Sequence, residues 1–279
     1  MLRLLIPALL LTGLVHAQPV APVTDFLRFV ESAEGAALQT AVARYRHDDG
    51  TRVDLVGAVH IADRAYFDTL NRRFTVYDAV LYELIGGPHP GRQSNRVTAG
   101  DGLDGLRLLH QFLRQKLNLE GQLECIDYGA ANFIHADLSA EAFSEAMGQR
   151  LDSLLRMWMK MMLAQTRDES APQSLALLMR LLLGGDSATE MKRYIGRELD
   201  RMEPILASIE ADGGTVLIGE RNRHAIEIMK REQANGRRRL AIFYGAAHLP
   251  DLETRLQELG FRRVWVDYLT AWDLPARKS

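Results

Sequence analysis

The feature that most constrains this chain is a stretch that occurs twice. Leu55-Val56-Gly57-Ala58-Val59-His60-Ile61-Ala62-Asp63 and Phe243-Tyr244-Gly245-Ala246-Ala247-His248-Leu249-Pro250-Asp251 share one frame: an apolar run, a G-A-x-H turn and an aspartate soon after the histidine. Each is followed by an amphipathic segment, an aromatic residue (Phe74, Phe261) and a second apolar run, so each reads as a β–turn–α–β unit. Glycine lets a strand bend sharply or approach a neighbour closely. The small alanine keeps the turn tight, and the aspartate is placed to cap the helix. Ligands of open α/β sheets bind beyond the carboxyl ends of the strands. Two such turns on neighbouring parallel strands would bring His60 and His248 into one polar site from opposite ends of the chain.

The rest of the chain supports an α/β class with a largely parallel central sheet, flanking helices and an inserted α-helical hairpin region. Thr40–His47 and Thr51–Val59 alternate around Asp48-Asp49-Gly50, a hairpin signal. Further strands are expected at Ala79–Leu84, Leu123–Tyr128, Thr215–Ile218, Leu240–Tyr244 and Val264–Leu269. Helices are expected over about 25–35, after Asp63, over 103–117, from an N-cap at Ser139, over Glu220–Ala234 and over Leu252–Leu259. Gly86–Gly102 is a long Gly/Pro-rich loop. The helical insertion runs from about 139 to 207. Within it, Leu151–Ala164 carries Met157, Met159, Met161 and Met162 around Trp158, and Pro172 separates it from the leucine-rich Ser174–Leu183. Both segments are apolar on more than one face, which predicts an internal hairpin or a contact, through 151–183, with a second copy or a membrane surface.

Composition narrows the partners. The chain has 279 residues and a formal net charge of -2, so no global field favours nucleic acid. Cys125 is the only cysteine, which rules out an intramolecular disulfide and a cysteine-rich zinc site. A metal would have to be held by His, Asp and Glu. At the N-terminus, Arg3, the apolar run Leu4–Val15 and Val15-His16-Ala17 read as a signal peptide over 1–17, cleaved after Ala17 and directing the protein to the periplasm or outside the cell. Residues 18–34 are expected to form a leader and helix, 35–270 the α/β domain, and 271–279 a tail.

Carboxylates mark the same strand ends. Glu83 closes the apolar run Val80-Leu81-Tyr82, where an unpaired buried charge would be costly. Glu220-Arg221-Asn222 follows Ile218-Gly219 at a helix start. Glu220 suits a general base or a metal ligand, and Arg221 suits an anionic group or developing oxyanion. His89 lies in the long loop, His135 and Asp137 are loop hydrogen-bonding groups, and His224 falls one turn past Glu220.

Taken in order, the two GxxH motifs, the strand-end glutamate and the Glu-Arg-Asn helix start resemble the TraB/GumN family, from about residue 35 to 270. That family includes a pheromone-shutdown protein and the TIKI proteases, and is similar in fold to erythromycin esterase and ChaN-like proteins. The resemblance matches His60 and His248 to the family histidines, Glu83 to its glutamate, and Arg221 and Asn222 to its Arg-Asn element. It implies a metal-dependent hydrolase of peptides or small molecules. His60, Glu83 and His248 would hold a divalent ion (Mn, Co, Zn or Fe), with Glu220, Arg221 and Asn222 as catalytic groups. The segment Leu84-Ile85-Gly86-Gly87-Pro88-His89 departs from the acidic pattern of the protease branch. The alternative is a binding protein that captures a peptide, haem or metal at the same site.

Overall fold

The computed structural model describes residues 25–85, 111–149, 187–211 and 216–276. The expected signal peptide, the whole Gly86–Gly102 loop and the expected 151–183 hairpin lie outside the described residues.

A mixed seven-stranded sheet forms the centre. Strands β1 (Leu27–Glu31), β2 (Gly35–Arg46) and β3 (Arg52–Ala58) come first. The short β4 (Ile61–Ala62) and helix α1 (Arg64–Phe74) then lead to β5 (Ala79–Tyr82). A helical stretch over 111–117 precedes β6 (Glu120–Gly121), the short helix α2 (Gln122–Cys125), β7 (Phe133–His135) and α3 (Ala140–Gln149). After α4 (Ala188–Ala211) come a π-helical turn (Val216–Glu220), α5 (Arg221–Ala234) and β8 (Arg239–Gly245). A 3-10 turn (Ala246–His248), α6 (Leu249–Glu258) and β9 (Arg262–Pro275) complete the order.

The sheet changes character across β3. On one side, β3, β8, β5 and β7 lie side by side and parallel. On the other, β2 pairs antiparallel with β1, β3 and β9. The parallel strands are apolar on both faces because helices cover both. Phe67, Leu70 and Phe74 of α1 pack on one face with Val80, Tyr82 and Phe243. Ala225 and Met229 of α5, with Leu252 and Leu256 of α6, pack on the other with Leu55, Leu81, Ile242 and Tyr244.

The hairpin of β2 and β3, the helix after Asp63 and the strands at Ala79 and Leu240 form where the residue pattern places them. Ser139 accepts the Ala142 N–H at 3.1 Å at the start of α3. Four expectations are corrected. The segment 25–35 forms β1 rather than a helix, because β2 offers its edge to Leu27–Glu31. Leu123–Tyr128 is not a strand: α2 occupies its start, and the third parallel neighbour is Phe133–His135. Of the strand expected at Thr215–Ile218, the described part, Val216–Ile218, lies in the π-helical turn running into α5, since a short apolar run does not by itself distinguish strand from helix. The last strand is antiparallel and longer than expected, so the sheet reaches past residue 270. Trp272 and Leu274 are buried there.

Candidate functional site

Four parallel strands end together, and each delivers a polar group just past its carboxyl end. His60 follows β3, Glu83 follows β5, Asp137 follows β7, and His248 follows β8. In the pairing of β3 with β8, Gly57 lies opposite Tyr244 and Ala58 opposite Gly245, so the two G-A-x-H turns leave adjacent strands one residue out of step. Neither glycine has positive φ. Their small size serves close approach instead. A Cβ on Gly57 would come 3.2 Å from the Ala41 carbonyl oxygen and from Leu249, and one on Gly245 would come 3.3 Å from a Glu83 carboxylate oxygen.

Arg221, the first residue of α5, organises the cluster. Its guanidinium grips Asp137 with two bonds, Nε to Oδ1 at 2.8 Å and Nη2 to Oδ2 at 2.6 Å. Nη2 also donates to Glu83 Oε1 at 2.6 Å, and Nη1 lies 3.3 Å from His248 Nε2. The Gly245 N–H donates to Glu83 Oε2 at 2.7 Å. The Asp137 side chain is fully buried, and those of Arg221, His248 and Glu83 are 8%, 7% and 14% exposed. Buried charges need such pairing, and a guanidinium fork meeting a carboxylate is the strongest form of it.

The second histidine is wired on both ring nitrogens. Nδ1 lies 2.7 Å from Asn222 Oδ1, and Nε2 lies 3.5 Å from Glu83 Oε1. Burial lowers the pKa of His248, outweighing the pull of Glu83, so the ring is neutral near pH 7. Burial also acts to raise the pKa of Glu83. The imidazolium that His248 becomes in acid, the Arg221 guanidinium, the Gly245 N–H and His60 more than offset this and hold the carboxyl at about 2. Arg221 is held protonated: burial opposes its charge, but Asp137 and Glu83 overcome that. With His248 neutral, Glu83, Asp137 and Arg221 leave a net negative charge at the strand ends.

The first histidine has different surroundings. His60 is exposed, and its carbonyl accepts the Gln122 N–H at 2.9 Å. His60 also helps to hold the Glu83 carboxyl below its ordinary range. The two aspartates do not cap their helices with their side chains. Asp63 takes Lys192 Nζ at 2.9 Å and the Asp273 N–H at 2.7 Å. Asp251 takes Asn222 and Arg255.

Of the residues singled out in the sequence, Glu83, Arg221, Asn222 and His248 meet directly. Glu220 ends the π-helical turn and its carboxylate engages Arg223. His224 lies 4.0 Å from Glu227, and His135 bonds the Leu84 carbonyl at 2.6 Å. His89 lies outside the described residues. Asp137 gains most from the structure: its signal in the sequence was its place just beyond a strand end, like Glu83, but the strand itself was short and unrecognised.

The chain matches no protein-family model, no curated protein and no solved structure in the comparisons made. Among the described residues, no helix is long and apolar enough to cross a membrane, and no group of three or more His, Cys, Asp or Glu is placed to hold a metal ion.

Proposed function

We propose that this chain is an exported hydrolase of carbonyl substrates, peptides or small esters and amides, with His248 as its general base. The observation that carries the reading is the setting of the imidazole. Asn222 holds Nδ1, and the ring is buried and neutral, with Nε2 beside a fixed carboxylate and a fixed cation. A base held in place by a third group is the arrangement that activates a nucleophile. As Arg221 Nη1 turns from Nε2 to the substrate carbonyl oxygen, Nε2 takes a proton from water while the water oxygen adds to the carbonyl carbon, and that proton then passes to the leaving nitrogen or oxygen. Glu83 stabilises the imidazolium formed in between. Arg221 supplies a preorganised positive charge for the substrate carbonyl oxygen as it becomes negative.

The TraB/GumN resemblance implies a divalent ion on His60, Glu83 and His248. The donor set does not fit one in this arrangement. The Glu83 Oε1 and His248 Nε2 lone pairs face the Arg221 guanidinium, at 2.6 Å and 3.3 Å, and that group stays protonated. A dication there would sit against a buried monocation. The steps above therefore use only the side chains.

The test is turnover of a panel of fluorogenic peptides and esters by the purified protein and by His248→Ala, with and without a chelator, alongside metal analysis. The reading expects turnover that His248→Ala abolishes and the chelator leaves intact. No turnover on the panel, or turnover that survives His248→Ala, overturns it. Chelator-sensitive turnover with bound metal restores the metal-dependent alternative.

A further inference from the structure

An imidazole presents similar nitrogens on both sides, and the partner of one decides which carries the proton. At His248 that partner is the Asn222 side chain, whose amide can turn either its oxygen or its NH2 toward Nδ1. Two acceptors settle the choice. The His248 carbonyl oxygen lies 2.9 Å from Asn222 Nδ2, and Asp251 Oδ2 lies 2.8 Å from it. With the NH2 held there, Oδ1 faces His248 Nδ1, and an acceptor at that point requires Nδ1 to carry the hydrogen. Nε2 is left with its lone pair toward Glu83 and Arg221.

Asp251 is itself held. Arg255, one helical turn on in α6, donates Nε to the same Oδ2 at 2.6 Å, and its Nη2 reaches the Gly219 carbonyl in the π-helical turn at 3.3 Å. The pair thus ties the second G-A-x-H turn to the start of α5, which carries Arg221 and Asn222. Of the two acceptors on Asn222, Asp251 is the charged one, and charge-assisted bonds are about twice as strong as neutral ones. Asn222 is fully buried, so bulk water cannot replace a lost partner.

We propose that Asp251, braced by Arg255, is a positioning residue that sets the tautomer of His248 through the Asn222 amide. The proposal rests on the reading of His248 as a base, but its test does not need turnover. Nitrogen-15 spectra of the histidine-labelled protein report which ring nitrogen is protonated. In the wild type, His248 shows a protonated Nδ1 and a bare Nε2. In Asp251→Ala it shows a mixture of tautomers, whereas Asp251→Asn, which keeps an acceptor oxygen of the same shape, retains the wild-type signature. If the protein turns substrate over, Asp251→Ala lowers kcat by about tenfold or more, as expected when the partner that orients a catalytic histidine is lost, with KM little changed.

A reciprocal exchange gives the second arm. Asn222→Asp alone sets two carboxylates against each other and lowers kcat further. Combined with Asp251→Asn, it puts an amide donor back between them and restores most of the loss. An Asp251→Ala protein that melts cooperatively and keeps the wild-type ring signature overturns the proposal, as does an exchange that restores nothing in an active enzyme. A wild type that turns over no substrate but whose tautomer still depends on Asp251 overturns the hydrolase reading alone.

Discussion

The two G-A-x-H turns are near copies in sequence and opposites in use. The first spends its polar groups on anchoring backbone. The Gly57 carbonyl accepts Tyr66 Oη–H at 2.9 Å, the Ile61 carbonyl accepts the Trp272 indole N–H at 2.8 Å, and the His60 carbonyl accepts Gln122, while the His60 ring is exposed. The second turn carries its histidine inward, where Asn222, Arg221 and Glu83 surround both ring nitrogens. The cause lies in what packs on each turn. The first is followed by β4 and α1 and is overlaid by β9. The second abuts α5, whose first two residues are the arginine and asparagine that reach the ring. The same local motif thus makes an exposed corner or a buried polar cluster according to its neighbours.

The comparison breaks most visibly in activity. His248→Ala should lower kcat by about 100- to 10,000-fold, the range for losing a general base, whereas His60→Ala should stay within about tenfold. Steady-state kinetics on any peptide or ester of the panel that the wild type turns over decide it. Equal losses would make the two turns functionally equivalent.

Stability gives the next contrast. Arg221→Ala leaves Asp137 and Glu83 unpaired in a buried setting and should cost about 3–5 kcal/mol in urea unfolding. Lys192→Ala, which frees Asp63 at the first turn, should cost about 1–2 kcal/mol, because Asp63 is 29% exposed and keeps the Asp273 N–H.

Acid should act on the second turn in two stages. The pKa of His248 is lower in the fold than its ordinary 6.5, so the unfolded chain takes the proton first and stability begins to fall as pH drops below that value. Glu83 is held at about 2 against an ordinary 4.5, so the stability it contributes is present above 4.5 and lost as pH falls toward 2. That contribution is of order 3 kcal/mol. Urea midpoints measured against pH should lose the upper stage in His248→Gln and the lower stage in Glu83→Gln.

The glycines should give the smallest effects and the finest distinction. A methyl at Gly57 meets the Ala41 and Phe26 carbonyl oxygens and Leu249. Gly57→Ala should therefore cost about 1–3 kcal/mol of stability, as overpacking does. A methyl at Gly245 meets mainly the Glu83 carboxylate. Gly245→Ala should disturb turnover more than unfolding, and paired melts and kinetics separate the two.

Much of the centre is legible before folding. The paired turns, the strand-end glutamate and the Arg-Asn helix start name four of the residues that meet. Asp137 is hard to single out in the sequence because β7 is short, and a strand of that length is recognised by its partners rather than by its own pattern. Asp251 could be read only as a helix cap, since nothing local indicates that Asn222 lies within bonding distance of it.

Part of the local order belongs to the sequence itself: alternation and apolar runs specify the hairpin, the strands at Ala79 and Leu240 and the helices α1, α5 and α6, and small residues specify where a strand turns tightly. The tertiary structure decided which edge each strand takes, so that β1 and β9 join antiparallel to β2, and which of two like histidines is buried. The physical reason is that pairing edges, burial and charge partners are relations between distant segments. A free imidazole in water is an ordinary titrating ring. Among Asn222, Arg221 and Glu83 it becomes neutral and fixed in orientation.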